Sequence, residues 1–137
     1  FILTASNDVT ARVWEAATGA AVSTLSGHTT SVYSAAYSPD GQFIVTASDD
    51  GTARIWETAT GAAVRTLSGH GCNEIGYCSV LSAAYSPDGK FIVTAGADRT
   101  ARIWLTNVSD VLAKAQALIQ RDPPLLTPEE RRRYGLE

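Results

Sequence analysis

The stretch Ser38-Pro39-Asp40-Gly41-Gln42-Phe43-Ile44-Val45-Thr46-Ala47-Ser48-Asp49-Asp50-Gly51-Thr52-Ala53-Arg54-Ile55-Trp56-Glu57 reads as a β-hairpin. Pro39 and Asp40 suit the central positions of a type I turn, and Gly41 follows them. A β-branched run from Phe43 to Thr46 leaves that turn. Asp49-Asp50-Gly51 then folds it back into an apolar/polar alternation ending at Trp56. Asp50 and Gly51 are residue types that tolerate positive φ, as a tight hairpin demands.

The same string returns as Ser86-Pro87-Asp88-Gly89 through Trp104, and its second half opens the chain as Phe1 to Glu15. A second repeated string, Ala17 to His28, is matched by Ala59 to His70. Trp14 to Trp56 is 42 residues and Trp56 to Trp104 is 48. Self-similarity near this period, carried by short strands, predicts all-β propeller blades of four strands each. In the complete middle unit the strands are expected at 31–37 (a), 42–47 (b), 52–57 (c) and 62–67 (d). Alanines at 35, 36, 53, 83, 84 and 101 suit strands that converge near a propeller axis.

Composition narrows the function classes. The 137 residues are 45% hydrophobic with a net charge of -3, which argues against the concentrated basic face that nucleic acid requires. No apolar run is long enough to span a membrane. Two cysteines outside the repeated unit do not make a disulfide framework, so a reducing, cytoplasmic setting is the expectation. The chain begins with Phe1 in mid-unit and lacks methionine, which reads as a piece of something longer.

Two departures break the repetition. Where the middle unit has His28-Thr29-Thr30-Ser31, the third has His70-Gly71-Cys72-Asn73-Glu74-Ile75-Gly76-Tyr77-Cys78-Ser79, a six-residue insertion of the kind that maps to loops. After Trp104 the β pattern stops, dividing repeats (1–104) from a tail (105–137). In the tail, 108–121 has helical spacing, and Thr127-Pro128-Glu129-Glu130 is a start signal for a second short helix. The last unit therefore has no evident strand d, and the first lacks strand a.

Gly27-His28 placed before Asp50-Gly51-Thr52-Ala53-Arg54-Ile55-Trp56-Glu57 resembles the WD-repeat β-propeller family, with Glu57 in place of the usual Asp. The third copy has Leu105 in that place, and Gly96 where the others have Ser. The resemblance implies an incomplete propeller of about three four-stranded blades with a short helical tail, and strand-swapped closure by chain outside residues 1–137. It also implies a structural hydrogen-bond network. In the middle copy this is His28, Asp50, Trp56 and a strand-b hydroxyl, Thr46 with Ser48 as rival. In the third it is His70, Thr94, Asp98 and Trp104; in the first, Thr4, Asp8 and Trp14.

Chemical readings are weaker than the structural one. His, Ser/Thr and Asp could be taken for a hydrolase triad, but the set recurs in each repeat, as a folding element would. The spacing of Cys72 and Cys78 matches none of the common zinc patterns, which leaves loop thiols as the expectation and a local disulfide as the alternative. Arg131 to Arg133, preceded by Glu129 and Glu130, reads as a solvated or docking helix face. Asn107-Val108-Ser109 is a chance sequon, and Arg12, Arg54 and Arg102 lay their stems over neighbouring rings.

There is no phosphate-binding glycine loop and no His-Glu-x-x-His. The expectation is a non-catalytic protein-interaction scaffold without cofactor or metal, addressing a protein or peptide and neither nucleic acid nor membrane. Its partner surface is placed at Asn7, Asp49, Gly51, Cys72, Asn73, Glu74, Tyr77 and Arg99, and the incomplete propeller can also self-associate. The alternative is the sensory end of a larger signalling ATPase or kinase.

Overall fold

The computed structural model describes residues 1–106. The tail helices, the arginine cluster and the sequon expected from the sequence lie outside the described residues.

Ten strands follow in order: β1 (Ile2–Ala5), β2 (Thr10–Trp14), β3 (Ala21–Ser26), β4 (Val32–Tyr37), β5 (Phe43–Ser48), β6 (Thr52–Glu57), β7 (Ala63–Ser68), β8 (Val80–Tyr85), β9 (Phe91–Gly96) and β10 (Ala101–Leu105). They form three antiparallel meanders, β1-β2-β3, β4-β5-β6-β7 and β8-β9-β10. Only the middle sheet has four strands among the described residues. The hairpin register is the same in each: Ile2 faces Trp14, Ile44 faces Trp56, and Ile92 faces Trp104. The first sheet thus holds the counterparts of strands b, c and d, and the third those of a, b and c. Strands a, b and d of the middle sheet begin one residue later than the alternation suggests, at Val32, Phe43 and Ala63.

The turns form as their residues dictate. The Gly41 amide donates to the Ser38 carbonyl at 2.9 Å and Gly41 takes φ 71°. Ser38 Oγ bonds Asp40 Oδ1 (2.5 Å) and accepts from the Phe43 amide (2.9 Å). In the b–c turn the Gly51 amide reaches the Ser48 carbonyl at 3.3 Å, and Gly51, not Asp50, takes the left-handed conformation, φ 82°. Val9 (φ 68°) and Arg99 (φ 63°) hold that place in the other two sheets. A β-branched side chain there works against its own backbone preference.

Successive sheets pack face to face. Ala11, Val13 and Leu25 of the first bury against Val32, Ile44 and Trp56 of the second. The other face of the second, with Val45, Ala47, Ala53, Ile55 and Leu67, buries against Val80, Ala83 and Ile92 of the third. β5 is sandwiched on both sides, which is why five of its six residues are buried. Among the described residues the third sheet has no such cover on its far face: Val93 is 45% and Ile103 74% exposed, against 0% for Val45 and 6% for Ile55. Ala101, expected among crowded small residues, is exposed for the same reason.

Replacing Val9 by glycine relieves the left-handed strain and should raise stability by about 1 kcal/mol, read as a higher urea midpoint at unchanged slope. An unchanged or lower midpoint would contradict a strained Val9.

Candidate functional site

Each complete hairpin carries a polar hub. In the second sheet, His28 Nδ1 lies 2.7 Å from Asp50 Oδ2, and His28 Nε2 lies 2.7 Å from Thr46 Oγ1. Trp56 Nε1 donates to the same hydroxyl at 2.9 Å. A carboxylate only accepts, so the proton sits on Nδ1 and Nε2 takes the Thr46 O–H. Ser48 turns elsewhere, donating to the Ser31 carbonyl at 2.9 Å and accepting from the Asp50 amide at 3.1 Å.

The third sheet repeats the arrangement. His70 Nδ1 is 3.0 and 3.1 Å from the two Asp98 oxygens, His70 Nε2 is 2.8 Å from Thr94, and Trp104 donates to Thr94 at 2.9 Å. A Cβ on Gly96 would run into the His70 ring and come within 2.8 Å of Asp98 Oδ1. The imidazole therefore uses the room that the Ser48 side chain fills in the second sheet.

The first sheet keeps Trp14 on Thr4 at 2.9 Å. Without a histidine, its Asp8 pairs with Arg12 at 2.7 Å. Arg54 and Arg102 instead lie with Trp56 and Trp104 against the glycine of each Gly-His pair. A Cβ on Gly27 would meet Arg54 Nη1 at 3.0 Å and the Trp56 ring at 3.2 Å, and the backbone there has φ 155°.

Burial lowers the His28 pKa; the Asp50 hydrogen bond and charge oppose it, and Arg54 adds to the lowering. Burial raises Asp50, but hydrogen bonds from Thr52, His28 and the Thr29 amide outweigh it and hold the carboxylate below its ordinary range.

The second polar cluster lies where the insertion meets the b–c turns. Cys72 and Cys78 are joined by a disulfide, with Cα atoms 3.8 Å apart, which overturns the expectation of free loop thiols. The residues between them form a turn of their own: Asn73 Oδ1 accepts from the Ile75 (3.1 Å) and Tyr77 (2.9 Å) amides. The Asn73 amide donates to the Tyr77 carbonyl at 2.8 Å, and Gly76 takes φ 87°. That turn holds Ile75 (78%) and Tyr77 (60%) out to solvent.

The loop is fixed at both flanks. Ser79 donates a short hydrogen bond to Asp49, and the Cys78 carbonyl packs on Gly51, where a Cβ would sit 3.1 Å from it. On the other side Arg99 pairs with Glu74 at 3.3 Å. The structure thus joins Asp49, Gly51, Cys72, Asn73, Glu74, Tyr77 and Arg99 into one surface. Asn7 stands exposed on the b–c turn of the first sheet, with no bond to this cluster among the described residues.

Tyr33 stands close to this cluster, two residues on from the Ser31 carbonyl that takes the Asp49 amide at 3.0 Å. It is the unpaired residue where the β4–β5 register slips between Val32 and Ser34, so the bulge turns its ring outward to 47% exposure. The alternation of strand a carries no mark of that slip. Among the described residues no group of three or more His, Cys, Asp or Glu is placed to hold a metal ion, and no helix is long and apolar enough to cross a membrane.

The model of the WD domain, G-beta repeat, matches residues 19–57 and 61–104. The chain belongs to the WD-repeat family. The crystal structure of the WD40 β-propeller domain of Doa1 is similar to it, with a TM-score of 0.68 and 26% identity over 78% of this chain. The match covers 33% of that structure, so the chain spans about a third of its length. No curated protein matches the chain. The three sheets are WD-repeat blades, and the two Gly-His hubs lie within the matched repeats.

Because the folded His28 pKa is below its ordinary value of 6.5, the unfolded chain binds that proton first, and stability falls as pH drops through 6.5. The depressed Asp50 adds a second loss as pH falls below 3.8. The urea midpoint should therefore be lower at pH 5 than at pH 7, and His28→Gln should remove most of that difference. Equal midpoints in the parent chain would contradict a buried neutral His28.

Proposed function

We propose that this WD-repeat chain is a non-catalytic protein-interaction scaffold that holds a protein or peptide ligand at the end carrying the b–c turns and the 72–78 loop. It uses no cofactor and addresses neither nucleic acid nor membrane. The observation that carries the reading is the disulfide-closed loop, which presents Ile75 and Tyr77 to solvent while tied to the turns of two blades. Ordering such a loop in advance removes an entropic cost that a free loop would pay on binding, and tyrosine is a favoured anchor at interfaces. Disulfides persist in oxidising compartments, so the surface keeps this form only there.

Exchanging residues 71–78 for Thr-Thr, as in the middle blade, tests the reading. The exchanged chain should keep its circular dichroism and lose the proteins that the parent chain retains from extracts of its source. Retention of the same proteins at the same level would sink the proposal.

Self-association is a second reading, favoured by two faces that no described residue covers. Val93 and Ile103 on the third blade are counterparts of the Val45 and Ile55 that the next blade buries, and Ile2, 53% exposed on the first blade, is the counterpart of buried Ile44. Each end thus offers part of what the other lacks. Light scattering should give a mass above 14.5 kDa that Ile103→Lys lowers; a monodisperse monomer would exclude this reading.

A further inference from the structure

Asp49 differs from the other carboxylates at this end of the molecule. Asp8 is paired with Arg12, Asp50 with His28, Asp98 with His70 and Glu74 with Arg99. Asp49 accepts a hydroxyl from Ser79 and has no cationic partner among the described residues. The Asp49 amide donates to the carbonyl of Ser31, two residues before Tyr33, at 3.0 Å, and its carboxylate takes the hydroxyl of Ser79, two residues after Tyr77, which brings the two phenols and the carboxylate into one neighbourhood. Burial, with the nearby Asp49 charge, raises the Tyr33 pKa. Both rings are well exposed, and neither position is loose. Tyr33 is aimed by its bulge, and Tyr77 is aimed by the disulfide and by Asn73.

A carboxylate answered only by the Ser79 hydroxyl, beside two exposed aromatic rings, has one natural complement. Ammonium and guanidinium groups satisfy the charge and are attracted to ring faces at the same time. An anionic ligand would be repelled by Asp49, and a wholly apolar one would cover the carboxylate without pairing it. Exposed Ile75 on the same loop offers an apolar contact for a neighbouring ligand residue.

We propose that Asp49, Tyr33 and Tyr77 form a receptor for a positively charged side chain, lysine or arginine, of a bound peptide. The proposal rests on the interaction-scaffold reading and names the chemistry of its ligand. The cation's head pairs with Asp49, and its stem lies against Tyr33 and Tyr77.

The test uses the full 137-residue chain and three capped pentapeptides, alanine throughout except for a central arginine, lysine or neutral citrulline. Binding is followed by amide chemical shifts and titration at low and high salt. The arginine and lysine peptides should shift Tyr33, Asp49 and Tyr77, bind at least about tenfold tighter than the citrulline peptide, and weaken as salt rises. Asp49→Asn should bring both cationic peptides down to the citrulline level. Tyr77→Ala, which leaves the Ser79–Asp49 bond untouched, should weaken them severalfold with unchanged thermal stability.

Equal binding of the citrulline peptide at the same residues would overturn the cation assignment while leaving the interaction surface standing. Shifts elsewhere, no shifts at millimolar peptide, or an Asp49→Asn chain that binds like the parent would also overturn it. The loop exchange decides the broader reading independently.

Discussion

The Thr46 hydroxyl is the point on which the complete blade turns. One oxygen takes the indole N–H of Trp56 on β6 and gives its own proton to His28, which leads from β3 into β4, while Asp50 holds the far side of the imidazole. Strands b and c, the incoming loop and the b–c turn are thereby locked by one chain of hydrogen bonds. All of it lies in a region where an unpaired polar atom would be costly. Because Trp56 is held at its nitrogen, its ring is delivered to the face shared with the first blade, where it is 1% exposed. Polar order inside the blade thus fixes the apolar contact between blades.

Much of this was legible in the sequence, and the misses have physical causes. Turn chemistry and the repeat gave the hairpins and their order, since Pro, Asp and Gly impose backbone angles locally. Thr46 and Ser48 could not be separated that way, because residues two apart on a strand share a face and both carry hydroxyls. Distance decides: Thr46 reaches the imidazole, and Ser48 is drawn to the Thr30 and Ser31 carbonyls. The disulfide was not legible either. Five residues between two cysteines set no geometry, and it is the Asn73 turn that brings the two ends of the loop together.

Burial was the least legible property of all. Phe43-Ile44-Val45-Thr46-Ala47 and Phe91-Ile92-Val93-Thr94-Ala95 are the same string, yet Val45 is fully buried and Val93 is 45% exposed. Identical local sequence makes identical strands with an identical register to the facing tryptophan strand. What differs is whether another blade lies on the far face. Position in the array sets burial, and no window of a few residues contains that information.

The b–c turn shows how a fixed hub and a variable surface share three residues. Its middle position is Asp8, Asp50 or Asp98 in the three blades, and in each the carboxylate accepts the amide and hydroxyl of the threonine two residues on. No other side chain could take those bonds and also hold a histidine or arginine on its second oxygen. The flanking positions carry no such duty: Asn7, Asp49 and Ala97 precede the aspartate, and Val9, Gly51 and Arg99 follow it. Asp49 accepts the Ser79 hydroxyl, Gly51 makes room for the Cys78 carbonyl, and Arg99 reaches Glu74. The hub holds the turn rigid from its centre, and the two outer residues are left to build whatever surface a ligand requires.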